Sequence, residues 1–283
     1  MGRSDVWLGL GLLHTPFHPF SSTTQLRSGT VPDTPNMSRS RGVSAKLSKH
    51  CCITAEQEGN AVEAKLNNKG VGQCKFVLCD VSNESQVKRV IETAIELYGQ
   101  LDCLINNAGT HPPHLPIDGY SGEDFHNIIG INVFSIFSAC KFALPHLRKT
   151  QGNIINNCSL VADIGQLHAV TYCASKGAIL SMTKALAIDE ACHNVRVNSF
   201  APSNVFTPLW EKAALASSDY NAAIQTGKDS QLLGRFGTME EVGLVCLFLA
   251  ADATFCTGIN INVSGGAELD YGKKSRIEAS KAE

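Results

Sequence analysis

The chain lacks any strong imbalance of charge. A net charge of −2 over 283 residues leaves no basic or acidic field of the kind that grips nucleic acid or an anionic membrane. It also lacks any C-x-x-C pair, although it holds 11 cysteines. An odd number of scattered thiols, with Cys51 and Cys52 the only close pair, argues against a disulfide framework or a zinc site. It points to reduced, mostly buried thiols in an intracellular, cytoplasmic protein with no metal. No stretch approaches the roughly 18 apolar residues that suggest a membrane span. The short apolar run over residues 6–13 carries an acid, Asp5, where a signal peptide has a basic flank. Internal repeats are absent as well.

What is present falls into two unlike regions. Residues 1–50 mix Pro16, Pro19, Pro32 and Pro35 with Ser, Thr and Gly, and show no sustained period of 2 or 3.6. They read as irregular or disordered. Six basic residues (Arg3, Arg27, Arg39, Arg41, Lys46, Lys49) against two acids (Asp5, Asp33) also fit a transit peptide, but no amphipathic helix accompanies them. From residue 51 to 273 the pattern is regular, and residues 274–283 read as a flexible tail. Helical periodicity over 56–66, 83–98, 124–147, 174–192 and 240–250 alternates with strand-like runs. Those runs cover 75–79, 101–105, 153–157, 195–200 and 258–263. Such alternation predicts βαβ units and a parallel, doubly wound sheet with helices on both faces. With 43% hydrophobic residues, a sizeable core can be buried without metals or disulfides.

The sharpest chemical signal is SLVADIGQLHAVTYCASK, from Ser159 through Tyr172 to Lys176. Tyr172 and Lys176 lie four apart in a predicted helix, so both project from one face. A tyrosine is a poor base at neutral pH, and an adjacent ammonium favours the phenolate. The pair can therefore take a proton from an alcohol or return one to a carbonyl. Ser159 at a strand end can hold the reacting oxygen. Of the five tyrosines only Tyr172 has a lysine four residues later.

Other residues fall at fitting positions. Asn106, Asn107, Ala108 and Gly109 close a strand and leave room for a ligand at the crest of a sheet, or make a simple turn. Asn132, inside an apolar helix, must be hydrogen-bonded, and can bend the helix or hold a water. Thr207, soon after a strand and Pro202, offers a hydroxyl for a carboxamide. Asp80 fits an acceptor for an adenine amine, or equally a solvated turn acid.

In this order, Asp80-Val81, NNAG, Asn132, Ser159, Tyr172/Lys176, Pro202 and Thr207 resemble the short-chain dehydrogenase/reductase family over residues 56–271. The resemblance implies a Rossmann-like sheet of order 3-2-1-4-5-6-7 and a catalytic tetrad of Asn132, Ser159, Tyr172 and Lys176. It implies an NAD site in which Lys176 bonds the nicotinamide ribose. Asp80 and Val81 would border the adenine, Asn107, Ala108 and Gly109 the adenosine ribose, and Val205 and Thr207 the carboxamide. Ser203 departs from the glycine that many members carry after the proline. The strings THPPH, ALPHLRKTQGN, SLVADIGQ, TPLWE, FCTGI and GGAELDYG are similar to a branch acting on secondary alcohols. Its substrates are 17β-hydroxysteroids or sugars such as L-fucose, interconverted with the ketone. That likeness implies a homotetramer, a substrate pocket lined by His111, Gln166, Asn204 and Trp210, and a Tyr271 that reaches a neighbouring subunit. Ordinary packing accounts for each of these residues equally simply.

One expected piece is missing. Members of the family begin with a strand, a T-G-x-x-x-G-x-G turn and a helix that hold the pyrophosphate. The run GLGLLH from Gly9 to His14 has no third glycine, and Pro16 and Pro19 follow where a helix should propagate. The acid expected at the end of the second strand is replaced by Ile53 and Thr54, and residues 46–53 read as a remnant of that strand. The first strand and the phosphate-loop unit are therefore expected to be absent, with the sheet cut at its centre. Two readings follow: an active dehydrogenase, or an impaired relative that only oligomerises or binds ligand.

Overall fold

The computed structural model describes residues 5–10, 43–49, 53–68 and 72–269. Seven parallel strands form one sheet: β1 (Asp5–Leu10), β2 (Val43–Lys49), β3 (Lys75–Leu78), β4 (Cys103–Asn106), β5 (Asn153–Asn157), β6 (Arg196–Pro202) and β7 (Asn260–Val263). Their spatial order is β3-β2-β1-β4-β5-β6-β7. The helices are α1 (Ile53–Asn67), α2 (Glu84–Tyr98), α3 (Gly122–Ile129), α4 (Ser135–Thr150), α5 (Val161–Ile164) and α6 (Val170–Glu190). They continue with α7 (Pro208–Leu215), α8 (Tyr220–Asp229) and α9 (Met239–Ala251).

The expected gap at the centre of the sheet is corrected. Asp5–Leu10 pairs with β2 on one side, Asp5 opposite Val43, and with β4 on the other, Trp7 opposite Cys103. A short apolar run that looks like an isolated signal-type segment satisfies both neighbours' backbone groups once it lies between them. Two strands thus come from residues 1–50, and the second-strand remnant is part of β2. Ile53 opens α1 instead of closing a strand. Residues 11–42, where any phosphate-binding turn after β1 falls, lie outside the described residues, as do Cys51, Cys52, Tyr271 and residues 274–283.

Strands β4, β5 and β6 are buried on both faces, and they show it residue by residue. Leu104, Ile154 and Val197 join one core with Val87, Val90, Ile91 and Ala94 of α2, Ala139 and Leu147 of α4, and Ile179 of α6. Their neighbours Cys103, Ile105, Ile155 and Phe200 join a second core with Cys246 and Leu249 of α9. Successive side chains point to opposite faces, so continuous apolar strands are what a doubly covered sheet needs. Nine cysteines among the described residues are free, and burial pushes the Cys140 and Cys246 thiols up to about 12. The helical stretch Gly122–Thr150 is apolar and long enough to cross a membrane, but 50% of its apolar window is buried in the fold.

Polar ties fix the helices on the sheet. Arg148 of α4 grips Glu190 of α6 through two bonds of 2.8 and 2.6 Å, which holds the Glu190 carboxyl below its usual range. Arg196 donates to the carbonyls of Leu249, Ala250 and Ala253, at the carboxyl end of α9. Gly152, between α4 and β5, has no room for a side chain: a Cβ there would stand 2.4 Å from the Asp102 carbonyl oxygen. We expect Gly152→Ala to lower unfolding stability by about 1–3 kcal/mol in a urea titration. Wild-type stability in that variant would show that the β4 and β5 ends are not packed this tightly.

Candidate active site

The carboxyl ends of β1 and β4 border the point where strand order reverses, since the chain winds outward from β1 in both directions. In such sheets ligands bind in this crevice. Val81, Asn106, Ala108, Ser135 and Ile136 line a narrow cleft there.

Asn132 is the organiser of the crest. It is 1% exposed and sits in a π-helical turn, Gly130–Phe134, between α3 and α4. The expected helix irregularity is therefore a widened turn, with the Ser135 hydroxyl donating back to the Ile131 carbonyl. Nδ2 of Asn132 donates to Thr110 O at 3.0 Å and Ser175 Oγ at 3.1 Å, and Oδ1 accepts from Thr110 N at 2.8 Å. Both donors are committed to protein groups, so the side chain braces the crest and has no N–H left to hold a water. Gly109 passes so close that a Cβ would be 3.3 Å from Asn132 Oδ1 and 3.8 Å from Lys176 Nζ.

Ser159 follows β5 by two residues, and its hydroxyl lies near enough to the Tyr172 phenol to lower its pKa. Lys176 is 4% exposed and donates from Nζ to the Asn157 carbonyl at 2.9 Å. The four residues Asn132, Ser159, Tyr172 and Lys176 are thus brought to one place. One electrostatic expectation is reversed. Burial pushes the Tyr172 hydroxyl up to about 12, against the lowering by Ser159. The reason is geometric: Lys176 Nζ lies 5.7 Å from the Tyr172 ring centre and directs a proton to Asn157. Burial also brings Lys176 down to about 8.

His111 lies against Tyr172, with ring centres 4.1 Å apart. Its Nδ1 is 2.7 Å from the Pro112 carbonyl and so carries the hydrogen. Nε2 lies 3.4 Å from Gln166 Oε1. His114 stacks on His111 at 4.9 Å, and burial with its neighbours His111 and His168 lowers its pKa.

The remaining expected residues have the following neighbours. Asn204 donates to Gly227 O at 2.9 Å and accepts from Trp210 Nε1 at 3.4 Å, so the two tie α7 to α8. Trp210 also packs edge-on against Phe236 at 4.5 Å. Val205 forms a bridge with Gly237, and Thr207 caps α7 by accepting from Trp210 N. Ser203, the departure from glycine, has a role of its own: it donates to Ser264 O and contacts Gln231. Asp80 accepts from Ser82 N and Oγ, which is the turn-acid role. Val81 is 1% exposed, and Asn107 accepts from Asn157 Nδ2 at 2.7 Å. Sequence reasoning missed Ser175 and Asn157, whose polar types on a helix face and at a strand end were the available signal. It also missed Tyr120, which no pattern marked.

The family model described as enoyl-(acyl carrier protein) reductase matches residues 50–268. The L-fucose dehydrogenase of Bos taurus is 46% identical over 224 residues, which cover 79% of this chain and 81% of that protein. A solved NAD+-bound xylitol dehydrogenase superposes with a TM-score of 0.72 at 28% identity, covering 80% of this chain and 89% of its own. A blue fluorescent protein from a metagenomic library, in complex with NADPH, gives 0.72 at 25% identity and covers 81% and 89%. The chain belongs to the short-chain dehydrogenase/reductase family. It is an oxidoreductase of the kind that acts on CH–OH groups.

The buried Lys176 generates a stability prediction. Its folded pKa, about 8, lies below the ordinary 10.5, so the unfolded chain holds the extra proton between those values. Wild-type stability should therefore rise with pH across that window. At pH 7 the buried charge costs on the order of 3 kcal/mol. We expect Lys176→Met to melt higher than wild type at pH 7, with the gap shrinking as pH approaches 10.5. A gap that stays constant over that range would contradict a charged, buried Lys176.

Proposed function

We propose that the chain interconverts a secondary alcohol and its ketone, with a sugar such as L-fucose as substrate and a nicotinamide cofactor as hydride partner. The observation that carries this reading is the Ser159–Tyr172–Lys176 arrangement at the crest beside Gly109. A phenol is presented there to the crevice where ligands of such sheets bind. The cofactor fits the described residues: the approach at Gly109 is one that a Cβ would tighten, and Asn106 Oδ1 is buried with no partner among the described residues. Ala108, Gly109, Val81 and Lys176 would hold it, and when bound it accepts or delivers hydride. One solved relative is NAD+-bound and another is in complex with NADPH, so each cofactor has support. We favour NAD, in keeping with the resemblance read from the sequence.

The residues of this chain then act as follows. Ser159 donates to the reacting oxygen and to Tyr172 in alternation, which fixes that oxygen at the phenol. Tyr172, neutral at pH 7 and held further from ionisation by burial, gives its proton to a carbonyl during reduction and must lose it for oxidation. Lys176 keeps a positive charge behind the site below pH about 8. His111 and Gln166 supply an acceptor and an amide beside the phenol, suited to substrate hydroxyls. A hydroxysteroid is the competing substrate class. The impaired-relative reading rests on the missing glycine-rich turn and a missing central strand; β1 supplies the strand, and the turn after it lies outside the described residues. A homotetramer and a cytoplasmic location accompany this proposal.

Fluorescence titration of the purified chain should show NADH binding in the micromolar range. L-fucose oxidation should follow, and Tyr172→Phe should cost roughly 100-fold or more in kcat. Oxidation should accelerate with rising pH, whereas carbonyl reduction should be level below pH about 8 and fall above it as Lys176 loses its proton. No binding at millimolar NADH or NADPH would return the chain to the ligand-binding reading, and full activity in Tyr172→Phe would remove the phenol from the mechanism.

A further inference from the structure

Five helices start on a side chain that accepts from their first turn: Asn83 for α2, Ser121 for α3, Thr207 for α7, Asp219 for α8 and Thr238 for α9. The helix α6 does not. Ala169 stands at its N-cap position and offers no side-chain bond. Yet Tyr172 is the third residue of that helix, in the turn that frays first when uncapped.

The loop ahead of α6 is held in another way. His168 has a φ of +57°, a left-handed conformation that a non-glycine residue keeps only when its surroundings impose it. Its carbonyl accepts from Leu115 N at 2.9 Å and lies 3.2 Å from Tyr120 Oη. The Tyr120 hydroxyl donates to Pro113 O at 2.6 Å and accepts from Leu115 N at 3.3 Å. Tyr120 is itself fixed by position, because the next residue, Ser121, makes a reciprocal capping box with Asp124 at the start of α3.

We infer that Tyr120 is a positioning residue for Tyr172: its hydroxyl, which donates to Pro113 O and reaches His168 O, latches the β4–α3 loop to the loop before α6 and pins the backbone ahead of that uncapped helix. The latch works from both sides of the phenol. One loop carries His111, which packs on Tyr172, and the other carries Gln166, which meets His111. Loosening it lets the first turn of α6 fray and moves Tyr172 away from Ser159. This inference rests on the dehydrogenase reading for its kinetic consequence, but not for its structural one.

The test is Tyr120→Phe in the full chain, with His168→Asn as its companion, because asparagine tolerates the left-handed conformation and leaves the carbonyl in place. Amide exchange at residues 170–173 should quicken at least tenfold in Tyr120→Phe, with an unchanged melting temperature and wild-type exchange in α9. kcat for alcohol oxidation should fall roughly 10- to 100-fold with KM moving far less, since misplacing a reacting group impairs chemistry more than binding. His168→Asn should keep exchange at residues 170–173 at the wild-type rate. Unchanged exchange in Tyr120→Phe, faster exchange spread over the whole chain, or quickened local exchange with wild-type kcat would each overturn the inference. If the wild type turns over no alcohol with either cofactor, the dehydrogenase reading fails, and the exchange measurement still decides the latch.

Discussion

The buried amide of Asn132 is where the geometry of the crest is set. Three elements meet there that the chain brings from far apart: the loop after β4, the π turn between α3 and α4, and the first turns of α6. A primary amide has two donors and a two-lone-pair oxygen, and here both donors and one lone pair are committed to protein partners. Ser175, which accepts from Asn132, passes the constraint onward by donating to the Tyr172 carbonyl at 2.7 Å. Removing the amide would strand several of these groups out of reach of water, at about 1–3 kcal/mol for each left unmet. The π turn belongs to the same constraint, since it turns the Asn132 side chain toward Thr110 and Ser175 within an otherwise apolar helix.

The sheet supplies the other half of the site by letting its strands end at different heights. The β4–β5 ladder runs through Asn106 opposite Asn156, and β5 continues one residue further to Asn157. That residue's carbonyl meets the Lys176 ammonium, and its side chain meets Asn107. Below it, Asn106 donates to Asn156 at 2.8 Å and Asn156 to Thr183 of α6 at 2.9 Å. A line of buried amides thus registers β4, β5 and α6 against one another. Such a network is costly when incomplete, so it favours a single arrangement of the strands. The Lys176 ammonium meets one of these dipoles directly, the Asn157 carbonyl.

Much of this was legible because it depends on periodicity. The strand at 153–157 and the buried face of α2 follow from alternation and from 3.6-residue spacing, and the structure reproduces both. The Tyr172–Lys176 spacing placed both residues on one helix face without further information. The central strand was not legible, because Asp5–Leu10 is a short apolar run with no helix pattern after it. Only the unpaired edges of β2 and β4, distant in sequence, give it a place. The ties of Asn204 and Trp210 to the helices were hidden for a related reason. Both types suit a pocket wall, and their engagement with each other and with Gly227 is a tertiary fact that local sequence does not carry. The direction of the Tyr172 shift was missed because spacing fixes which residues are neighbours and says nothing of how deeply they are buried.

The site is consequently held with unequal firmness. On the side of Asn132 and Lys176 the supporting groups belong to helices and strands whose burial is nearly complete. On the side of His111 and Gln166 the supports are two loops, with several exposed residues, joined through backbone carbonyls and one phenol. Under the proposed mechanism, rigid placement suits the proton-transferring residues, which must meet a small, constant part of any substrate. Loop placement suits residues that meet the variable part, because loops change by substitution without disturbing the sheet. The same division explains why Tyr172 is exposed to both influences. Its backbone is tied through Ser175 to the buried amide, while its ring packs on the loop histidine. The phenol therefore stands at the seam between the rigid frame of the sheet and the adjustable mouth, and small changes in the mouth are transmitted to it.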